Sequence, residues 1–318
     1  MTNASVGYVG YGIESTEGVT VAPTLFLPAN AFSIDSTEDF IIPEQLRGTR
    51  DHYVGMSAPY SVSGSMDMEL VPDGVRNLLK SALCHEGTIT PTAYSGGGYQ
   101  QVFVPGNATT PTFTFEASYG DILVMRYGGI RINTLEIAAS FGEIVTASWG
   151  LEGTTRVKQG SASTESYANV LPFHFTGAGV KRDGVVIANV QNFTLGINNN
   201  IDRRGTLVKR RSWARTVLGN RDITFSATMD FQDDDDYDLF LAGTEFAIEI
   251  HLQSDTNIPT TTNPYMLKIT LPHVKWNSVS SGMTAGDYID QAVEATVLRG
   301  STGNVMDVVL VNDESTAF

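Results

Sequence analysis

Two nine-residue stretches decide the fold, and each is a version of the other. The first is Val62-Ser63-Gly64-Ser65-Met66-Asp67-Met68-Glu69-Leu70, and the second is Ile223-Thr224-Phe225-Ser226-Ala227-Thr228-Met229-Asp230-Phe231. In both, apolar and polar residues alternate with a period of two, which is typical of a β-strand with one buried and one wet face. The two stretches align position for position, so that Val62 corresponds to Ile223 and Leu70 to Phe231. Because the same pattern recurs in two distant parts of the chain, the sequence indicates an internal repeat.

The same offset in the numbering holds on the N-terminal side of both stretches. There, Phe32-Ser33-Ile34 corresponds to Phe193-Thr194-Leu195. Further along, residues 113–119 match residues 246–252, and the offset is smaller. The N-terminal copy therefore carries about 28 extra residues, and the Gly- and Pro-rich segment 85–112, which predicts a surface loop, has room for them. We interpret the chain as a tandem duplication of one domain.

The repeat predicts the domain boundaries and the fold class. Residues 1–155 are the first domain with an N-terminal arm, residues 156–170 are a linker, and residues 171–318 are the second domain. Each domain is expected to have one short flanking α-helix, near residues 75–83 and 234–242, where acidic residues precede apolar ones. The remaining segments alternate as strands do or are rich in turn residues. The expected fold is mainly β, with two tandem β-sandwich or rolled-sheet domains.

Two local expectations concern the segments around the first repeated stretch. Residues 35–60 are polar and rich in turn residues, which predicts a long connection before the strand. Asp73 stands just before the first helix, where a carboxylate is expected to cap the free N–H groups. Both expectations depend on local composition alone.

Composition and charge exclude several function classes. The chain has 318 residues, with 20 basic and 35 acidic ones, for a net charge of −15. Such a surface repels nucleic-acid phosphates, although it still allows a passage through which DNA slips without binding. Cys84 is the only cysteine, so an intrachain disulfide and a cysteine-based metal site are excluded. No apolar run reaches membrane-span length, and we expect a soluble protein made in a cytoplasm, with no membrane partner.

Two charged segments have competing interpretations. Asp233-Asp234-Asp235-Asp236 has the ligand type of a calcium site but lacks the ligand spacing of a calcium loop, so the start of a helix is favoured. Seven of the 20 basic residues fall within the nineteen positions 203–221. This segment could bind nucleic acid, remain a solvated loop, or dock on an acidic surface of another copy. We favour docking, because Trp213 is its only aromatic residue.

Catalytic and cofactor-binding motifs are missing from the sequence. The five histidines are scattered without the spacing of a metal site, and neither a nucleophile elbow nor a phosphate-binding loop occurs. The sequence therefore predicts no enzyme, no cofactor and no metal.

The chain resembles the tail tube (major tail) proteins of long-tailed, non-contractile bacteriophages, in their two-domain form. Three segments show the resemblance: residues 12–19 with Pro23-Thr24, the strand-to-helix passage 64–83, and residues 129–145, which include Gly129-x-Arg131-Ile132-Asn133 and Gly142-Glu143. It covers nearly all of the first domain and, more weakly, the second.

The resemblance implies a structural protein of the virion tail. Six domains would close a ring whose sheets form one barrel, so three two-domain chains would make a pseudo-hexameric ring, and rings would stack into a tube. The expected partners are further copies of the chain, a tape-measure protein, a tail terminator, and baseplate or tip proteins. Genomic DNA would pass through during ejection without specific binding, and assembly would take place in the host cytoplasm.

The same resemblance assigns two sets of candidate residues. The expected lumen residues are Ser63, Ser65, Asp67, Glu69, Glu116, Thr224, Ser226, Thr228, Asp230 and Glu249. The expected contacts between rings are Arg47, Arg50, Arg203, Arg204, Lys209, Arg210, Arg211 and Arg215. The alternation leaves open whether the first set faces a lumen or the outside.

Other function classes stay open at this stage. One is the inner tube of a contractile injection machine, although such tubes are typically built from one-domain subunits. Another is a virion decoration protein or a β-rich binding module, for which the aromatic residues Tyr94, Tyr99 and Phe103 of segment 85–112 give the only hint. A carbohydrate-active enzyme would need two facing carboxylates, and no such pair can be identified.

Overall fold

The protein is mainly β. The structure, a computed structural model, describes residues 6–107, 111–120, 122–168, 170–207, 212–283 and 288–318. Strands make up 52% and helices 6% of the described residues, among which there are two α-helices. This confirms the predicted mainly β class.

Ten strands and one helix lie in the N-terminal half. The strands are β1 (Tyr8–Ile13), β2 (Leu25–Leu27), β3 (Ala29–Ile41), β4 (Met56–Glu69), β5 (Thr92–Ala93), β6 (Tyr99–Phe103), β7 (Phe113–Ser118), β8 (Val124–Ser140), β9 (Thr146–Gly153) and β10 (Thr155–Gln159). The helix α1 (Arg76–Ala82) follows β4, as the apolar spacing predicts.

Ten further strands and the second helix lie in the C-terminal half. The strands are β11 (Ala178–Arg182), β12 (Val185–Val186), β13 (Val190–Asn198), β14 (Asp202–Arg204), β15 (Arg215–Val217), β16 (Asp222–Asp230), β17 (Phe246–Asn257), β18 (Pro264–Ser281), β19 (Asp290–Val297) and β20 (Asp307–Asn312). The helix α2 (Asp235–Ala242) follows β16, and a short 3₁₀ helix at Phe175–Gly177 precedes β11.

The strand pairings of the N-terminal half recur in the C-terminal half. The order β3-β4-β9-β8 corresponds to β13-β16-β19-β18, and the order β2-β1-β7-β8-β10 corresponds to β12-β11-β17-β18-β20. Even the irregularities correspond, because β3 shifts register between Ala29 and Ala31, and β13 shifts at the matching positions Val190 and Asn192. Bulges are specific features of a fold, so the two halves share topology and register.

The long strands β8 and β18 each belong to two sheets. The first part of β8 pairs with β7 and β10, whereas its second part pairs with β9. The strand therefore carries the chain from one side of the core to the other. Between the two sides, Phe32 of β3 stacks on Phe115 of β7, with 6.2 Å between ring centroids. Each half is thus a sheet rolled around its own apolar residues.

The two halves join edge to edge. Strand β13 of the C-terminal half pairs antiparallel with β8 of the N-terminal half over seven residue pairs. The result is a continuous run of eight strands in the order β3-β4-β9-β8-β13-β16-β19-β18, which we call the shared sheet. It draws strands from both halves and ends in β3 on one side and β18 on the other.

Two predicted loops are more ordered than the sequence suggests. The predicted connection 35–60 is instead a long hairpin, in which β3 continues to Ile41 and β4 begins at Met56. The predicted surface loop 85–112 contains β6, which pairs with β20 of the C-terminal half. The insertion therefore adds a strand to a sheet of the C-terminal half. A local sequence pattern cannot identify a pairing between strands so far apart in the sequence.

Two further predictions need correction at element boundaries. Residues 156–159 of the predicted linker belong to β10, which pairs with β8. Asp73 does not cap α1, because the residue at the cap position is Val75 and no side-chain capping bond forms. The Asp73 side chain is buried instead, near the acidic side chains of Asp313 and Glu314.

Candidate functional site

One face of the shared sheet is polar. The alternation predicted for β4 and β16 is observed: Val62 and Met66 are fully buried, as are Phe225 and Met229, whereas the polar residues that alternate with the apolar ones are half-buried or exposed. Eight predicted residues lie on the polar face: Ser63, Ser65, Asp67, Glu69, Thr224, Ser226, Thr228 and Asp230. Because β4 and β16 belong to the same sheet, these residues from distant parts of the sequence share one continuous surface.

Further acidic residues lie on this face, and three of them stand opposite a serine that the face already includes or a neighbouring one. Glu136 on β8 stands opposite Ser148, Glu152 on β9 stands opposite Ser63, and Glu294 on β19 stands opposite Ser226. The sequence analysis missed them, although the same alternation runs through their strands. Glu136 and Glu294 are exposed. The face thus carries mainly short polar and acidic side chains.

Glu116 and Glu249 do not lie on the shared sheet's polar face. Glu116, on β7, is completely buried, and its carboxylate accepts hydrogen bonds from the Tyr8 hydroxyl and from Arg126 Nε at 2.6 Å. Burial raises the pKa of Glu116, but these hydrogen bonds outweigh burial and hold the pKa below its ordinary value. Glu249, on β17, is held by the ammonium groups of Lys181 and Lys268. The structure corrects the expectation for Glu116, because alternation identifies a face but not what covers it, whereas Glu249 is half-buried and stays a prediction.

The basic residues gather at one end of the shared sheet. Strand β3 ends there in a loop with Arg47 and Arg50, and β13 ends there in the hairpin of β14 and β15, with Arg204 and Arg215. All four side chains are exposed. The end of β3 and the loop after it expose large apolar side chains, namely Phe40, Ile41, Leu46 and Tyr53. Lys209, Arg210 and Arg211 lie outside the described residues.

Arg203 has a different role from its neighbours. Its Nη2 donates a hydrogen bond to the carbonyl of Val62 at 3.0 Å and forms an ion pair with Glu152. Burial holds the pKa of Glu152 above its ordinary value, although the guanidinium of Arg203 lowers it. Arg203 therefore links the hairpin of β14 and β15 to the N-terminal half. Because its guanidinium binds groups of the same chain, Arg203 is not retained among the expected contacts between rings.

The opposite end of the shared sheet carries turns with exposed apolar and acidic side chains. The β8–β9 turn exposes Phe141, and the β18–β19 connection exposes Tyr288. Asp230 and Asp290 lie at the same end, and the Gln191 side chain donates hydrogen bonds to both carboxylates. The two ends of the sheet therefore differ in their exposed arginines, although Glu38, Asp39, Glu44 and Asp51 give the arginine end acidic side chains as well.

The N-terminal segment is anchored by a buried carboxylate. Glu14 accepts hydrogen bonds from the backbone N–H groups of Gly18 and Gly129 and from the hydroxyls of Thr112 and Thr114, at 2.6 to 2.9 Å. Gly129 has a φ of +65°, which favours glycine. The first and third resembling segments thus meet at one place in the fold.

A second contact joins this segment to the C-terminal half. The buried guanidinium of Arg131 donates a hydrogen bond to the Thr216 hydroxyl at 2.6 Å and forms an ion pair with Glu17 at 3.1 Å. Glu17 also accepts a hydrogen bond from the backbone N–H of Thr216. These residues hold the basic hairpin in place, and the sequence pattern gave no signal that they would meet.

The pattern of one protein family matches residues 4–297, and the family is described as phage tail tube protein. The chain belongs to the phage tail tube protein family. The match spans both halves and the whole shared sheet, whereas a search of curated proteins found no match. Membership makes the chain a structural component of the virion tail that assembles with further copies of itself and with other tail proteins into a tube. The family is structural and generally not enzymatic.

Two further observations apply to the described part of the chain. Among those residues, no group of three or more His, Cys, Asp or Glu side chains is placed to hold a metal ion. Neither described helix has the length and apolar character needed to cross a membrane.

Proposed function

We propose that each chain supplies two tandem copies of one tail tube domain, and that three chains close a pseudo-hexameric ring. Rings stack into the tail tube of a long-tailed, non-contractile phage, and the tube conducts DNA into the host. The observation that carries the proposal is the shared sheet, which runs unbroken from one half to the other with a single polar face. Strand order, register and bulges that recur in both halves support the tandem copies.

The polar face of the shared sheet is the proposed lumen wall. Its acidic residues include Asp67, Glu136, Asp230 and Glu294. Negative side chains repel the phosphates of passing DNA, so the duplex slides and does not bind. The buried face packs against the second sheet of each half, which leaves the polar face as the one available to line a channel.

The strand count fits a channel wide enough for a DNA duplex. Eight strands of each chain belong to the shared sheet, so three chains contribute twenty-four strands. Strands lie about 4.8 Å apart, which gives a circumference of about 115 Å and a diameter of about 37 Å before strand tilt widens the barrel. Closure also removes the exposed sheet edges that make open sheets prone to aggregation.

The two ends of the shared sheet are the proposed contacts between rings. One end carries Arg47, Arg50, Arg204 and Arg215 among exposed apolar side chains, and Lys209, Arg210 and Arg211 belong to the same segment of sequence. The other end carries the acidic and apolar turns described above. Two different, complementary surfaces at opposite ends generate an open stack and not a closed dimer. Stacking head to tail would bring the arginines of one ring to the acidic turns of the next.

The remaining partners follow from the place of the tube in a virion. A tape-measure protein would occupy the lumen during assembly in the host cytoplasm, and a terminator and baseplate or tip proteins would cover the two ends of the stack. The binding-module alternative loses its support, because Phe103 is completely buried and Tyr94 and Tyr99 are half-buried.

Electron microscopy with a mass measurement on the same sample tests the proposal. We expect open-centred rings or tubes, and a ring mass of three chains. A six-chain ring would refute the tandem-domain arrangement. A protein that stays monomeric at high concentration, even with tail-tip proteins present as an initiator, would refute the tube function.

A further inference from the structure

The junction between the two halves shows how copies of this domain pair. Residues 134–140 of β8 pair with residues 192–198 of β13. On the buried side of this junction, Leu135 stands opposite Ile197, and both side chains are almost completely buried. On the polar side, Thr134 stands opposite Asn198. The junction thus continues both the core and the polar face from one half to the next.

The counterparts of these two strands are free at the outer edges of the shared sheet. The counterpart of β13 is β3, and the counterpart of β8 is β18. Within the described residues, β3 pairs only with β4, and residues 278–281 of β18 pair only with β19. A free edge presents unpaired N–H and C=O groups that can pair with another strand. The two outer edges of the shared sheet therefore correspond to β13 and β8, the two strands that pair at the internal junction.

The internal repeat fixes the register in which these edges fit. Asn198 of β13 corresponds to Thr37 of β3, and Thr134 of β8 corresponds to Ser278 of β18, because the bulge that ends at Thr134 recurs in β18 and ends at Ser278. Transferring the junction in this way gives a set of opposite pairs. They include Phe32 with Met283, Ile34 with Ser281 and Ser36 with Val279 on the core side, and Asp35 with Ser280 and Thr37 with Ser278 on the polar side.

The exposed fractions of residues at the two outer edges are those expected if each edge pairs with a strand of another chain. Met283 is 86% exposed and Phe32 is half-buried, whereas their counterparts at the internal junction, Ala139 and Phe193, are both buried. Pairing in the transferred register would cover Met283 with Phe32. It would oppose no two charges of the same sign. A shift by one residue would turn the apolar side chains of one strand to the wet face.

The two helices give a second, independent sign of the same junction. Helix α1 is covered by the C-terminal half: Asn199 donates a hydrogen bond to the Ala82 carbonyl at 2.8 Å, and Lys80 donates one to the Phe318 carbonyl. Helix α2 is less covered, since Tyr237 is 47% and Leu241 is 67% exposed. The N-terminal half of a neighbouring chain would stand beside α2 as the C-terminal half stands beside α1.

We propose that β3 of one chain pairs antiparallel with β18 of a second copy of this chain, with Thr37 opposite Ser278. The pairing rests on the proposed ring and defines its chain-to-chain interface. Repeated three times, it closes the shared sheets into one barrel.

A cysteine pair tests the register. Residues directly opposite each other have Cβ atoms about 5 Å apart, close enough for a disulfide. The double variant Thr37→Cys with Ser278→Cys, assembled into tubes and oxidised, is expected to give covalent dimers and trimers and nothing larger on a non-reducing gel. Cys84 is buried and stays in every variant.

Two matched variants control for proximity and register. Thr134→Cys with Asn198→Cys places the same pair at the internal junction, so it should form a disulfide without any gain in mass. Ser33→Cys with Ser278→Cys moves one partner four residues along the same face of β3, about 13 Å away, and should not link. Asp35→Cys with Ser280→Cys is a second on-register pair for the case in which Thr37→Cys prevents assembly.

The possible outcomes separate the pairing from the function. Tubes in which neither on-register pair links, or in which the off-register pair links, would overturn the pairing and leave the tube function standing. A ladder that continues to six chains would support the pairing and refute the three-chain ring. If unmodified chains form neither rings nor tubes, both proposals fail.

Discussion

The N-terminal and C-terminal halves share strand order and register but differ in the side chains that fill the core. Position 64 of β4 corresponds to position 225 of β16, and both strands keep the same register with their neighbours. Phe225 packs in the core, 6.3 Å from the Phe193 ring and 6.4 Å from Trp276. Gly64 has no side chain, because a Cβ there would lie 1.9 Å from the carbonyl oxygen of Ser33. Strand register is therefore maintained by pairing, while each half packs its core differently.

The halves also differ in what surrounds them. Helix α1 is enclosed by the C-terminal half, whereas α2 exposes Tyr237 and Leu241. Strand β13 is paired on both sides, whereas β3 is paired on one within the described part of the chain. The N-terminal half meets its following neighbour within the chain, and the C-terminal half would meet it only in an assembly. In the proposed ring, the next copy would therefore lie beside β18 and α2.

The largest expected effect comes from a charge in the core of the C-terminal half. Phe225→Asp should prevent folding, because an unpaired buried carboxylate costs several kcal/mol in addition to the lost packing. Circular dichroism and thermal unfolding would show the loss. The matched variant Thr224→Asp, on the polar face one residue away, should fold normally. A folded Phe225→Asp variant would show that the two faces are assigned the wrong way round.

A smaller effect is expected at the corresponding position of the N-terminal half. Gly64→Ala should lower the free energy of unfolding by about 2 kcal/mol or more, since backbone and not a flexible side chain must give way. Gly160→Ala is the control, because a Cβ there meets nothing within 4 Å. Denaturant unfolding of both variants measures the difference. Equal stability of the two would contradict the close approach of β3 and β4.

The smallest effect depends on pH and compares Asp73 with its counterpart Asp234. Burial, reinforced by the charges of Asp313 and Glu314, raises the pKa of Asp73 to about 7. The folded state therefore holds the proton more tightly than the unfolded chain, whose Asp pKa is about 3.9, and stability falls as pH rises from about 4 to about 7. The asparagine side chain of the variant Asp73→Asn would not ionise. The melting temperature of this variant should therefore rise relative to that of the unmodified protein as the pH increases over this range.

Melting temperatures at pH 5 and pH 8 measure this gain. The control is Asp234→Asn, at the counterpart position, where the side chain is exposed. If Asp73→Asn stabilises the protein more at pH 5 than at pH 8, the sign of the argument is wrong.

Alternation and the constant offset between the two repeated stretches were enough to predict the mainly β class, the polar face of β4 and β16, and both helices. Long-range coverage could not be predicted in this way. Glu116 is covered by Tyr8 and by the backbone N–H of Ser163, which lie far from it in sequence. Arg203 looked like one of seven similar basic residues until the fold brought Glu152 to it. Periodicity reports which way a side chain points, and only the tertiary structure supplies its partner.

A density map of the assembled tube in cross-section tests the central claim most directly. We expect threefold symmetry and a barrel of twenty-four strands. The side chains of Asp67, Glu136 and Glu294 should lie on the inner surface of that barrel. A ring of six chains, or a map in which these carboxylates face outward, would contradict it.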